Sequence, residues 1–510
     1  LFPYTTLFRS PEGRMLFQRM TVAENLLVGA HLPRARETAA EKIEEIYEFF
    51  PRLAERRTQP VSQMSGGEQQ MVAIGRALMS RPAVILFDEL SLGLAPIVVD
   101  DIYEKVRQIN GTGVTCLVIE QDMNRALAVA DHVLVMHDGR MVETGPVGPI
   151  FAAPAHPYTK MLLSAVPRLG SFREHSLPQR RPVSIMEGGR VWEVGDPGIQ
   201  DTVQADRTLL RLDELSARFD VAHNLLGRPT HRVHAVEGVS FDIHPGETLA
   251  LVGESGSGKS TVGKAIQQIL RPSEGAITFD GRAYAGMTER ERRGLKREVH
   301  TIFQEPLASL NPRRTVGQSI SEPIRIHRLM SGEDAIGERV GSLLEKVGLK
   351  RSHANLYPHQ FSGGQRQRIC IARALASQAR LVVADEAVSA LDVSIQAQIV
   401  QLLMELQAEH GMSYLFISHD MAVVEEMAHR VAVMYLGQIV EIGPRQSVIG
   451  NPQHSYTRKL LASAPVPEPG RRIDRRLNAE DVPSPMRPVG DPPRRRALRQ
   501  VTPGHFVADG

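Results

Sequence analysis

The chain has 510 residues, with 60 Lys and Arg against 58 Asp and Glu, 42% hydrophobic and 23% charged residues, which excludes nucleic-acid binding by overall charge, bulk disorder, collagen and coiled coil. Its two cysteines, Cys116 and Cys370, are too far apart in sequence to make a metal-ligand pattern or a disulfide framework, so cysteine-built zinc and iron–sulfur sites are excluded. No apolar run reaches the 18 or so residues of a membrane span, and no leader pattern of basic, apolar and small residues is found, so any membrane role comes through a partner.

In chain order, residues 1–10 (LFPYTTLFRS) match nothing that follows and are set aside as a non-native scar outside the fold. Residues 11–170 form a first domain. It holds MSGGEQQMVAIGRAL (Met64–Leu78), ILFDE (Ile85–Glu89), EQDM (Glu120–Met123) and PAHPYTKMLLSAVP (Pro154–Pro167). Residues 171–207, rich in Pro, Gly, Arg and Asp and carrying the single tryptophan, Trp192, read as a linker. Residues 208–465 form a second domain, in which the apolar runs Leu249–Val252, Val299–Phe303, Leu381–Ala384 and Tyr414–Ile417 alternate with helical stretches. That alternation predicts an α/β fold with a mixed, mostly parallel sheet. Residues 466–510 carry nine Arg against four acidic residues between Arg471 and Gln500, show no apolar periodicity, and read as a basic, Pro-rich, solvated tail.

The two domains repeat one another. FSGGQRQRICIARAL (Phe361–Leu375) and VVADE (Val382–Glu386) follow their first-domain counterparts at an offset of 297 residues. SHDM (Ser418–Met421) and PQHSYTRKLLASAP (Pro452–Pro465) follow theirs at 298. With VMHDGRMVETGP (Val135–Pro146) and VMYLGQIVEIGP (Val433–Pro444), also 298 apart, these five collinear matches mean two copies of one domain.

The chemistry is concentrated in the second copy. A predicted strand runs into Gly253-Glu254-Ser255-Gly256-Ser257-Gly258-Lys259-Ser260-Thr261, with a helix predicted over Thr261–Ile269. This is a phosphate loop: glycines let backbone N–H groups turn toward phosphates, Lys259 neutralises β/γ oxygens, and Ser260 offers an oxygen to Mg²⁺. Asp385 ends an apolar strand where it can hold the metal shell, and the adjacent Glu386 can polarise an attacking water. Ser362, Gly363 and Gly364 open a helix, as do Ser65, Gly66 and Gly67 in the first copy, and such a bare helix start is suited to anions. Because this loop is remote from the phosphate loop, the economical geometry has each copy capping its partner's nucleotide.

The S-G-G-Q string resembles the signature of the ATP-binding-cassette (ABC) transporter ATPases, whose P-loop NTPase cassette has a mixed, mostly parallel sheet and a helical subdomain. The resemblance implies ATP and Mg²⁺ as ligands. It makes Gln304 the glutamine that senses the metal and water, with Ser260, Gln304 and Asp385 around the metal, and His419 the residue contacting the γ-phosphate. Ser389-Ala390-Leu391-Asp392 becomes the D-loop, and Phe219 the aromatic that stacks on adenine. QEPLASLNPR after Gln304, YPHQFSGG, and the HxYT-K/R-xLLxSAxP segments look like peptide/nickel importer ATPases, and two copies in one chain with a cysteine-free tail resemble the members that import glutathione. The implied partners are integral-membrane permeases and, through them, a periplasmic or extracellular substrate-binding protein, with the cassettes dimerising and no nucleic acid involved. The implied location is the cytoplasmic side of the cell membrane.

The first copy departs from this pattern. Aligning Glu12 with Gln304 places the equivalent of Lys259 before the first residue, so this copy is expected to lack a phosphate loop, an adenine aromatic and early strands, which would leave its core exposed. PEGRMLFQRMTVAENLLVGA, DELSLGLAP and VIEQDM are similar to branched-chain amino-acid importer ATPases, with Gln121 at the histidine position and Ala95 at the D-loop aspartate position. Together these read as a truncated chimera of two transporter ATPases with at most one hydrolytic site per internal pair. The alternatives are a branched-chain amino-acid importer ATPase, or a soluble twin-cassette protein acting on ribosomes or DNA. The latter would need a charged helical linker or zinc cysteines, and residues 171–207 supply neither.

Overall fold

The computed structural model describes residues 7–10, 15–90, 96–120, 123–180, 183–187, 190–194, 201–224, 227–389, 391–464, 486–491 and 493–509. The chain divides at Pro154 into two units: described residues before that point form the first, and those from Ala155 onward form the second.

In the first unit, β1 (Leu7–Ser10), β2 (Val84–Asp88) and β3 (Thr115–Ile119) make a parallel sheet in that order, and β4 (His132–His137) pairs antiparallel with β5 (Arg140–Pro146). Apolar faces of the helices Val22–Gly29, Gly66–Leu78 and Pro96–Gly111 and of β2 build its core. The strand at Leu7–Ser10 corrects the expectation that residues 1–10 stand outside the fold: Leu7 pairs with Val84 and Ser10 with Phe87. A parallel ladder is made by backbone groups, so a short β-competent segment fills the open edge of β2 whatever its origin.

The second unit begins earlier than sequence suggested. The helix Pro157–Ala165 packs against the helix Val393–His410, as does β6 (Val183–Glu187), which pairs antiparallel with β7 (Arg190–Val194). The described part of the expected linker is therefore tied down. The Gln204 N–H donates to the Pro245 carbonyl at 2.9 Å, Gln446 Nε2 donates to the Arg173 carbonyl at 3.1 Å, and the buried Arg445 guanidinium donates to the carbonyls of His175 and Leu177. These contacts satisfy backbone groups of a segment too poor in apolar periodicity to announce itself.

The remaining strands are β8 (Leu210–His223), β9 (Pro229–Ile243), β10 (Thr248–Val252), β11 (Glu274–Phe279), β12 (Arg282–Ala283), β13 (Val299–Ile302), β14 (Leu381–Asp385), β15 (Ser413–Ser418), β16 (Arg430–Tyr435), β17 (Gln438–Pro444), β18 (Met486–Pro488), β19 (Leu498–Thr502) and β20 (His505–Ala508). Eight form one sheet in the order β13-β14-β15-β10-β16-β17-β20-β19, and five form another in the order β12-β11-β8-β9-β18. In the larger sheet, β13 through β16 run parallel. The central strand β10 is buried at every residue, as expected where helices cover both faces.

The tail also differs from its expected solvated state. β20 pairs antiparallel with β17, matching Ile442 with Phe506, and β18 pairs with the edge of β9, matching Val233 with Met486. Pro488 sits on this added edge strand, where proline is tolerated. Arg495 from the tail joins Arg218 around the buried Glu237 and around Glu274, with Arg495 Nη2 2.7 Å from Glu274 Oε2. Burial pushes the Glu237 carboxyl up, but Arg218, His234 and Arg495 together bring it down to about 2.

The repeat shows in three dimensions. β2 and β3 pair as β14 and β15 do, and a Cβ on Gly67 would lie 2.3 Å from Val98 Cγ1, as one on Gly364 would lie 2.3 Å from Ile395 Cγ2. Among the described residues, however, no strand of the first unit takes the place of β10 beside β3. Leu117 and Ile119 are accordingly 42% and 47% exposed, where the matching Leu415 and Ile417 of β15 are 0% exposed.

Candidate active site

Four parallel strands bring their carboxyl ends to one rim of the larger sheet, where open α/β sheets place ligands. Gln304 follows β13, Asp385 ends β14 with Glu386 next, His419 follows β15, and the predicted phosphate loop follows β10. Their register is fixed by pairs such as Asp385 with Ile417 and Val252 with Ser418.

The loop from Gly253 to Gly258 leads into the helix Lys259–Ile266, two residues earlier than the predicted start. Gly258 caps this helix at φ +105°, and a Cβ there would lie 2.1 Å from the Ala235 carbonyl oxygen, so only glycine fits. Lys259 is 4% exposed. Its ammonium donates to the carbonyls of Gly253 at 2.7 Å and Glu254 at 2.8 Å and reaches Ser257 Oγ at 3.4 Å. Burial lowers the Lys259 pKa, while Glu386, Asp385 and Glu254 act to keep it charged. Ser260 Oγ donates to Asp385 Oδ1 at 2.9 Å. Burial holds the Asp385 carboxyl above the usual aspartate range, with Ser260 opposing.

Glu386 takes φ +48°, a left-handed conformation costly for a side chain with a Cβ, and its N–H is held by the Ile417 carbonyl at 3.0 Å. His419 Nδ1 lies 3.7 Å from Glu386 Oε1, and the imidazole holds the Glu386 carboxyl below its ordinary value. Glu89 in the first unit repeats this: φ +48°, with its N–H bound to the Ile119 carbonyl at 3.0 Å.

Lys259, Ser260, Asp385, Glu386 and His419 are thus brought together. Gln304 is exposed at the end of β13, and Phe219 is 40% exposed on β8 in the smaller sheet, opposite Val233. Neither has a hydrogen bond to the loop among the described residues. Ser362 caps the helix Gly363–Ala376, accepting from the Gln365 N–H at 3.4 Å, and Ser65 caps Gly66–Leu78 in the same way through Glu68. Asp392 caps the helix Val393–His410 through the Ile395 N–H at 2.9 Å. Glu12, Ala95, Gln121 and Ala390 lie outside the described residues, as does the side chain of Trp192.

A family model described as ABC transporter matches residues 7–91 and 236–389. A second, described as oligopeptide/dipeptide transporter, C-terminal region, matches residues 142–189 and 440–490. The glutathione import ATP-binding protein GsiA of Salmonella paratyphi A is 50% identical over 448 residues, covering 88% of this chain and 71% of that one. The chain belongs to the ABC transporter ATPases. The Escherichia coli K12 protein of the same name is also 50% identical over 448 residues, with the same coverage. Among solved structures, cbiO1 from Clostridium perfringens aligns at 27% identity with a TM-score of 0.41, over 48% of this chain and 91% of that one.

As an ABC transporter ATPase, the chain binds and hydrolyses ATP. No helix among the described residues is long and apolar enough to cross a membrane. Sequence reasoning had not found the strain at Glu386 and Glu89, which no residue type signals. Nor had it given a role to the repeated HxYT segments, which it used only for likeness.

Proposed function

We propose that this chain is the ATP-hydrolysing subunit of an importer of peptides or glutathione, acting through separate membrane permeases supplied by a substrate-binding protein. The observation that carries the catalytic part is the Ser260 Oγ to Asp385 Oδ1 bond of 2.9 Å beside the buried Lys259. It joins the start of the loop helix to the end of β14 and presents two hard oxygen donors side by side. Mg²⁺ suits such a pair, since it is held by one or two protein oxygens plus phosphate oxygens and water. Among the described residues no cluster of three His, Cys, Asp or Glu offers a separate metal cage.

In this reading Ser260 and Asp385 hold Mg²⁺, assisted by Gln304, and the metal supplies charge neutralisation for phosphoryl transfer. The loop from Gly253 to Thr261 cradles the phosphates. Lys259 exchanges its two loop carbonyls for phosphate oxygens. Glu386, kept ionised by His419, orients water, and His419 meets the γ-phosphate. Phe219 stacks on adenine. The capped helix starts at Ser362–Gly364 and Ser65–Gly67 close over a partner cassette's nucleotide.

The substrate class rests on the peptide-transporter C-terminal region, matched in both copies, and on the names of the relatives. Reconstitution of the chain with its permeases in vesicles tests it. ATP hydrolysis is expected to rise when glutathione or short peptides are supplied with their binding protein, and hydrolysis indifferent to both classes would overturn the assignment.

A further inference from the structure

The segment that repeats as HxYT reaches the phosphate loop in the second unit. Its helix, Ser455–Ala462, is firmly set: the fully buried Glu441 carboxylate accepts the N–H groups of Gln453 at 2.8 Å and His454 at 2.9 Å, and His454 Nδ1 accepts the Tyr456 N–H at 3.1 Å. One residue into the helix, the buried Tyr456 points its phenol at the loop, where its oxygen accepts the Glu254 N–H at 3.0 Å. Burial raises the phenol's pKa, so it stays neutral at physiological pH. Burial raises the pKa of the Glu254 side chain, with Lys259 and then Lys459, one turn along, opposing it.

The Tyr456 ring also lies 4.3 Å, centroid to centroid, from that of Tyr435. Tyr435 ends β16, and in the following turn the Gly437 N–H donates to the Ser257 carbonyl at 3.0 Å. The Arg496 guanidinium from the tail sits 6.0 Å from the Tyr435 ring. The loop is therefore gripped at Glu254 and at Ser257 by residues joined through one pair of tilted, contacting rings.

We propose that Tyr456 is a positioning residue for ATP: it fixes the first turn of the phosphate loop in its receiving curve and so makes nucleotide affinity depend on the C-terminal region. This rests on the reading of Gly253–Thr261 as the phosphate loop. The loop amides must face inward before the phosphates arrive, and a hydrogen bond that pins Glu254 spares the nucleotide from ordering that turn. The repeated helix supplies a control, because Tyr158 has the same His156 Nδ1 cap at 3.1 Å on a helix that packs against β6, β7 and the helix Val393–His410.

The test is calorimetric titration of the full chain with ATP, alongside steady-state hydrolysis and thermal melting. Tyr456→Phe keeps the ring on Tyr435 and removes the acceptor. It is expected to weaken ATP binding on the order of two- to tenfold, the scale of one lost hydrogen bond, with KM rising more than kcat falls, while Tyr158→Phe binds as wild type. Wild-type affinity in Tyr456→Phe, or equal weakening by Tyr158→Phe, overturns the proposal. If Tyr456→Phe does not fold, Tyr435→Leu, which removes the ring contact while keeping an apolar side chain, must weaken ATP binding, and unchanged affinity there overturns it equally. Lys259→Ala separates the two levels: unchanged ATP binding in that variant overturns the loop reading itself, whereas lost binding there with wild-type affinity in Tyr456→Phe overturns only the positioning role.

Discussion

Ser260 and Asp385, 125 residues apart in sequence, meet through a hydrogen bond of 2.9 Å, and that contact ties the loop after β10 to the end of β14. Around it stand one buried cation, Lys259, and two carboxylates pushed in opposite directions: burial raises Asp385, and His419 lowers Glu386. Two neighbouring acids with different affinities for protons are suited to different tasks, one to accept a metal and the other to orient water.

Replacing the charge at the centre of this arrangement is expected to abolish turnover. Lys259→Ala should remove both ATP binding and hydrolysis. Glu386→Gln should keep ATP binding and lose hydrolysis by roughly two to four orders of magnitude, the usual share of a general base. Phosphate release by the purified chain measures both.

Asp385 trades stability for function. Its folded pKa is raised by burial, so the ionised carboxylate is unfavourable in the folded chain at neutral pH and the site is relieved as the group is protonated. Asp385→Asn keeps an acceptor for Ser260 and removes the buried charge. The expected result is a melting temperature higher by roughly 2–4 °C, about 1 kcal/mol for a domain of this size, together with lost hydrolysis. Melting of the nucleotide-free protein checks it.

Acid should release the tail. Glu237 is brought down to about 2 from an ordinary 4.5 by Arg218, His234 and Arg495. Its folded pKa is depressed, so its stabilisation is complete above pH 4.5 and fades as pH falls toward 2. The stability difference between wild type and Glu237→Gln should shrink across that window, measured as melting temperature against pH. A difference that stays constant there refutes the charge cluster as the anchor.

The two copies should answer core substitutions differently. Leu415→Ala and Ile417→Ala in fully buried β15 are expected to cost about 2–5 kcal/mol each, whereas Leu117→Ala and Ile119→Ala on half-exposed β3 should cost less than about 1 kcal/mol. Chemical denaturation of the full chain, followed by hydrogen exchange on each strand, distinguishes them.

The buried strands were legible because each is a continuous apolar run: Leu381–Ala384 and Tyr414–Ile417 sit inside β14 and β15. The loop, the carboxylate pair and the capped glycine helices were legible because local chemistry dictates their residue types. What escaped was non-local. Leu7–Ser10, Met486–Pro488 and Leu498–Thr502 are short and polar, and they become strands only because an edge elsewhere lacks a partner. The described part of residues 171–207 is held through its carbonyls and amides, which every sequence possesses. Tyr456 was visible as a repeated letter, but its acceptor role depends on a backbone N–H 202 residues away.

The order β16-β17-β20-β19 has a consequence for how the protein is made. β10 is synthesised near residue 250 and β20 only past residue 500, yet both belong to one sheet, and β18 completes the other. While the chain is still emerging from the ribosome, β17 and β9 each keep a bare rim that the tail has yet to cover. The rims of β17 and β9 are therefore covered only after the arginine-rich stretch has been made, and nascent chains stalled ahead of that point should be the ones chaperones hold.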